Sequence, residues 1–106
     1  MNTLNSILIE GNVVATPEKC ETVHGNTICN FKIVNSRFEY YDGTLEKDDS
    51  IFDIEAYGKH AKECIESCTE GRGVRVVGRL KRYEDGSVKI VADHVEFKPQ
   101  YTHLID

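Results

Sequence analysis

At 106 residues the chain is long enough for one hydrophobic core and too short for two. Its 40% hydrophobic and 29% charged residues are globular usage, which excludes collagen-like, coiled-coil and disordered chains. The formal net charge of −5 argues against nucleic acid as a partner, yet it is lopsided: residues 1–71 hold 6 Lys/Arg against 13 Asp/Glu, and residues 72–106 hold 7 against 5.

Alternating apolar and polar residues, the period of strands, dominate the chain. A first strand is expected from Leu4 to Val14, with a bend or bulge at Gly11 and a stop at Thr16-Pro17. His24-Gly25-Asn26 reads as a turn. A second strand, Ile28 to Phe38, puts Cys29, Phe31 and Ile33 on one face and Asn30, Lys32, Val34, Ser36 and Phe38 on the other. Residues 39–50 read as a polar loop around Asp42-Gly43. A third strand from Ile51 to Tyr57 turns Phe52, Ile54 and Ala56 inward, and Ile51, Asp53, Glu55 and Tyr57 outward.

The period then changes. Ala61, Cys64, Ile65 and Cys68 make an i, i+3, i+4, i+7 stripe, which predicts a helix from Lys59 to Glu70 stopped by Gly71 and Gly73. A fourth strand, Val74 to Tyr83, has Val74, Val76, Gly78 and Leu80 on its apolar face and Arg75, Val77, Arg79, Lys81 and Tyr83 on the other. Asp85-Gly86 signals a tight hairpin. The fifth strand starts with Val88, Ile90 and Ala92 in phase and resumes out of phase at Val95 and Phe97, which predicts a bulge. Pro99 closes a domain over residues 1–99 and leaves 100–106 as a short C-terminal tail. The expected fold is all-β: a five-stranded Greek-key barrel of the OB type, with one α-helix between strands 3 and 4.

The fourth strand carries the clearest chemistry. Arg75, Arg79 and Lys81 alternate along one face and lead to Tyr83, with Arg72 and Arg82 beside them. Single-stranded nucleic acid needs cations along its phosphates and flat rings under its bases, and stacking contributes roughly 1–3 kcal/mol per base. Lys32, Phe38 and Tyr57 lie on faces not reserved for the core, so three strands are able to present one groove. The same alternation also solvates the outside of any strand, and the pattern alone does not separate the two readings.

Cys64 and Cys68 have a spacing that can bring two ligands to one metal, with Cys20, Cys29, His24, His60, His94 and His103 available. No short CxxC pair is present and both lie on the apolar stripe, so they read first as core thiols. Gly71-Arg72-Gly73 is no phosphate loop, and no nucleophile stands beside a base in a recognisable motif. Asp48-Asp49 and the Asp53/Glu55 pair read as solvated surface. No metal, cofactor or catalytic activity is expected. With no membrane-length apolar run and a first Lys as late as Lys19, the chain reads as cytoplasmic, its four cysteines thiols rather than disulfides.

Several segments, in this order, resemble the bacterial single-stranded DNA-binding protein family. They are Leu4 to Asn12, an apolar run ending in Gly-Asn; Ile28 to Phe38, ending in an aromatic; Ala56-Tyr57-Gly58-Lys59 leading into the helix; Gly71 to Leu80; and Ile90 to Phe97. Together they span residues 4–98. The resemblance implies an OB-fold subunit that binds single-stranded DNA without sequence preference in replication, repair and recombination. It also implies a homo-oligomer, usually a tetramer, that works with replication and repair proteins and sits in the cytoplasm at the nucleoid, with no membrane partner. Phe38, Tyr57 and Tyr83 fall at or near positions where the family stacks bases. The chain departs from the family in having no Trp, in Ile51 where many members carry an aromatic, and in an acidic 39–50 segment. Tyr101 to Asp106 does not match the acidic tip through which the family recruits partners. The competing readings are an OB-fold replication-restart accessory protein, a protein-interaction module without DNA binding, and a cysteine metal or redox site.

Overall fold

The structure, a computed structural model, describes residues 1–17 and 20–99, and of residues 20–23 the backbone alone. In chain order it contains β1 (Ile7–Val13), β2 (Cys20–Val23), β3 (Asn26–Tyr41), β4 (Thr44–Tyr57), α1 (Gly58–Ser67), β5 (Gly73–Arg82) and β6 (Val88–Phe97). β1 closes a five-stranded barrel by pairing with β5 from Ile7 to Asn12 and with β3 at Asn12 and Val13. The circuit runs β1-β5-β6-β4-β3 and returns to β1, with β4 and β6 parallel and the other pairs antiparallel. This is the expected OB barrel, with α1 between its third and fourth strands. β2 is an additional strand that extends the sheet beside β3, reached through a His24-Gly25 turn with φ of 51° and 80°.

Two glycines permit the close approaches that closure requires. A Cβ on Gly11 would lie 2.6 Å from the Val34 carbonyl oxygen, where β1 swings from β5 to β3. A Cβ on Gly78 would lie 2.1 Å from the Val91 carbonyl oxygen. Beside Gly78 the β5–β6 register slips, from Val77↔His94 to Gly78↔Ala92, so Asp93 is the extra residue of the predicted bulge. The inward faces of Cys29, Phe31, Ile33, Ile54, Ala56, Val74, Val76 and Ile90 fill the core, and α1 adds Ala61 and Cys64 with Cys68 just beyond it. The two helix-side cysteines are buried thiols, as the apolar stripe implies.

Several boundaries and faces differ from those predicted. Residues 39–50 are not a loop: β3 and β4 stay paired from Asn35↔Ser50 to Tyr41↔Thr44, and Asp42-Gly43 turns the chain with φ of 50° and 79°. Such positive angles at both turn residues match the twist of a two-residue hairpin. Both faces of this arm are largely exposed, so no buried face imposes a regular apolar period on residues 39–50. The helix is shorter than predicted and Ile65 on its stripe is exposed, as are Leu80 and Val88 at the strand ends beyond the core. Glu55, assigned to solvated surface, is buried. Cys29 is disulfide-bonded rather than a thiol. The backbone register of β2 and β3 sets Cys20 opposite Cys29. The tail over 100–106, with His103, lies outside the described residues. Among the described residues no helix is long and apolar enough to cross a membrane.

Gly78→Ala should force β5 and β6 apart at the bulge and cost about 1–3 kcal/mol, the usual range for overpacking. A urea midpoint unchanged from wild type would show that the close approach is dispensable.

Candidate nucleic-acid interface

Strand alternation and register decide which side chains share the outer surface of the barrel. Lys32 faces Asp53, Asn30 faces Glu55 and Ile28 faces Tyr57 across β3 and β4. On the neighbouring hairpin, Lys81 faces Lys89 and Arg79 faces Val91 across β5 and β6, and Val91 stands beside Glu55 of β4. The outer face of β5, β6, β4 and β3 is thus one surface. A groove of about 230 Å³ between β3, β4 and β6 is lined by Asn30, Phe31, Lys32, Asp53, Ile54 and Lys89.

The predicted cations fall into two groups. Lys32 pairs with Asp53, and Arg75 donates from Nε (2.8 Å) and Nη2 to Oε1 of Glu10. Lys98 Nζ takes the other oxygen of Glu10 at 2.7 Å. These bonds from Lys98 and Arg75 hold the Glu10 carboxyl below its ordinary range. Arg72 donates from Nε to the Lys98 carbonyl at 3.1 Å and stands 5.5 Å from the Phe97 ring centroid. By contrast, Arg79, Lys81 and Arg82 form no ion pair with a described residue. Arg79 and Lys81 share the outer face, whereas Arg82, one residue on, projects to the other side. Arg72 lies ten residues from Arg82, roughly 33 Å along the strand, so the basic residues do not form one cluster.

The predicted rings are also spread. Phe38 stands on the arm opposite Lys47 and is 61% exposed. Tyr57 is half-buried at the end of β4, where Gly58 at φ 61° turns the chain into α1. Tyr83 follows β5 directly and lies among charges. Its hydroxyl donates to Oε2 of Glu55, and its ring centroid is 4.9 Å from Lys81 Nζ and 5.1 Å from Lys89 Nζ. Lys89 Nζ lies 3.8 Å from the same Glu55 oxygen and donates to Asn30 Oδ1 at 3.3 Å.

Glu55, Lys89 and Asn30 were absent from the sequence-based site. Lys89 is legible in principle, because a hairpin centred on Asp85 pairs it with Lys81. Glu55 has no local signal: β4 shows it pointing outward, and only β6 and the β5–β6 turn cover it. Among the described residues no three His, Cys, Asp or Glu side chains converge as a metal site would need.

The chain matches the single-strand binding protein family over residues 4–98. It is 33% identical over 79 residues to single-stranded DNA-binding protein 1 of Chlorobaculum tepidum, covering 74% of this chain and 49% of that protein. It is 29% identical over 100 residues to the single-stranded DNA-binding protein of Aquifex aeolicus, covering 87% of this chain and 68% of that one. The chain therefore spans about half the length of the Chlorobaculum relative. A Plasmodium falciparum protein, solved in complex with single-stranded DNA, superposes with a TM-score of 0.78 at 18% identity, over 93% of this chain and 98% of its own. A deletion mutant of the Thermus aquaticus single-stranded DNA-binding protein gives 0.77 at 19%, over 91% and 51%. At those identities the two structures establish a shared fold.

Burial first, then the Glu55 carboxylate, push the Tyr83 phenol up to about 12 from an ordinary 10.0. The folded state thus favours the neutral phenol, and the resulting stability is full below pH 10 and lost as pH rises towards 12. In an absorbance titration of tyrosinate the most alkaline step should centre near pH 12 and vanish in Tyr83→Phe. A Tyr83→Phe curve that keeps this step would assign it to another tyrosine.

Proposed function

The chain belongs to the single-strand binding protein family, and from that membership we propose that it binds single-stranded DNA without sequence preference on the outer face of β3, β4, β5 and β6. The observation that carries the reading is the pair Arg79 and Lys81 on one face of β5, cations in no described ion pair, with Lys81 against the Tyr83 ring. Phosphates can take these cations without displacing an acid. Tyr57, two residues along the same face from Glu55, supplies a second stacking ring, and Phe38 on the arm a third. Lys32, Arg72 and Arg75 steer the strand from positions where protein groups already hold them, and Arg82 adds positive charge from the other side of β5. The role is binding rather than catalysis, in DNA replication, repair and recombination, in the cytoplasm at the nucleoid.

The ion pairs give the interaction-module reading some support, since Glu10 and Asp53 already occupy Arg75 and Lys32. Salt separates the two. Each phosphate neutralised releases counterions, so log affinity for oligo-dT should fall linearly with log salt. The Arg79→Ala, Lys81→Ala double variant should bind more weakly, with a slope shallower by about two phosphates' worth. Arg75→Ala should change the slope less, and Tyr57→Ala should cost roughly 1–3 kcal/mol with little change of slope. An affinity independent of salt would exclude the proposal and leave the interaction module.

We also propose a homo-oligomer, with four subunits as the family resemblance implies. From Ile7 to Gly11 one edge of β1 pairs with β5 while the other meets no described strand. Leu8 on this strand is 66% exposed, and open apolar edges invite pairing with a second copy. Light scattering at micromolar concentration should give a mass above that of one chain, lowered in Leu8→Lys. A single-chain mass for the wild type would rule the assembly out.

A further inference from the structure

Glu55 stands on the outer face, yet it is only 6% exposed, and no other charged side chain among the described residues is as buried. A carboxylate in that position loses hydration and repels phosphate, so it persists only with partners that offset both effects. It has two. The Tyr83 hydroxyl donates to Oε2, and the Lys89 ammonium lies 3.8 Å from the same oxygen. Lys89 is further fixed by Asn30 Oδ1 at 3.3 Å, and it stands opposite Lys81 in the β5–β6 ladder. Two like charges facing each other across a ladder are unfavourable, and a buried anion beside them offsets that repulsion.

Tyr83 itself belongs to no strand. It lies between Arg82, the last residue of β5, and the Glu84-Asp85-Gly86 turn. A ring on a turn is free to change rotamer unless something ties it to the sheet. The tie is on β4: the phenol reaches across β6 to an acid whose own position is set by the β3–β4 ladder. Lys81 and Lys89, each about 5 Å from the ring centroid, complete the surround.

We infer that Glu55 is a positioning residue of this face: its carboxylate holds the Tyr83 ring and the Lys89 ammonium in one arrangement before any strand arrives. This rests on the single-stranded DNA reading above and names a residue that sets its stacking ring. A ring already fixed loses little side-chain freedom on binding, so more of the stacking energy appears as affinity. Glu55 does this without touching the strand. Burial raises the Tyr83 phenol most, and the same hydrogen bond to Glu55 raises it further in the free protein.

The test uses the whole chain, a fluorescein-labelled oligo-dT as probe, and Glu66→Gln on the exposed side of α1 as a charge-matched control. Tyr83→Phe keeps the ring and removes only the hydroxyl, and should weaken binding about fivefold or more, the lower end of one stacked base. Glu55→Ala should weaken it by a similar factor, and the Glu55→Ala, Tyr83→Phe pair should be no worse than either alone. Glu55→Gln, whose amide oxygen can still accept from the phenol, should bind within about threefold of wild type. In the absence of DNA, Glu55→Ala should bring the most alkaline tyrosinate step down towards the ordinary range. Losses that add in the double variant, wild-type binding by Tyr83→Phe, or equal defects in the Gln and Ala variants would each overturn the inference. Tyr83→Phe decides the point even if Glu55→Ala does not fold. A wild type that ignores oligo-dT defeats the function itself, whereas a wild type that binds while the losses add defeats only the role of Glu55.

Discussion

Closure of the barrel depends on β1 serving two neighbours. Asn12 is the residue where this happens, paired with Gly73 of β5 on one side and Val34 of β3 on the other. The swing is sterically possible because the adjacent Gly11 brings its backbone against the Val34 carbonyl where a side chain would collide. The Asn12 side chain donates to the Gly71 carbonyl at 3.0 Å and Asn35 donates to the Glu10 carbonyl at 2.9 Å, which tie the crossing to its surroundings. With the circuit closed, the inward faces of five strands share one core and the outward faces of β3 to β6 form a continuous surface. The parallel β4–β6 pairing joins the basic hairpin to the β3–β4 ladder within that surface.

Electrostatics on that surface is more restrained than the count of basic residues suggests. The net charge of the chain is −5, and several of its cations lie beside acids. Glu10 holds Arg75 and Lys98 together, Asp53 holds Lys32, and Glu55 holds Lys89. The Glu10 and Asp53 pairs are exposed and contribute little stability, with a median near 0–1 kcal/mol. Their consequence is for association: a cation already neutralised has less to gain from a phosphate. Arg79 and Lys81, in no ion pair with a described residue, therefore offer a polyanion the least competition among the described cations.

The arm beyond Asn35 and Ser50 has no core beneath it. Its order comes from the ladder, from the positive-φ turn at Asp42-Gly43, and from short-range bonds such as Ser36 Oγ to Asp49 Oδ1 at 2.6 Å. Phe38, Tyr40, Leu45 and Ile51 fall on one of its two sides, because Phe38 faces Lys47, Tyr40 faces Leu45 and Ile51 faces Val34. Acids and Arg37 occupy much of the other. The arm is thus two-sided although both sides are wet, and it continues the outer face from Lys32 and Asp53 outwards.

Strand identity, the helix and the inward residues of the barrel were legible from the sequence, because burial on one face imposes a period that local pattern records. Cys29, Phe31, Ile33, Ile54, Val74 and Val76 lie in the core where alternation puts them, and the out-of-phase fifth strand marks the bulge at Asp93. Burial failed as a guide where it did not exist, which is why the arm read as loop, and at strand ends, where Leu80 and Val88 keep an inward phase with no core to meet. The candidate site was legible only as a set of cations and rings. Which cations are held by acids, which ring is tied to which strand, and that Glu55 is buried depend on neighbours far away in the chain: Glu10 for Arg75, Asp53 for Lys32, Tyr83 for Glu55. Sequence determined the periodic features because each strand encodes its own two faces. Only the tertiary structure decided the pairings, because they arise where the closed sheet brings separate strands together.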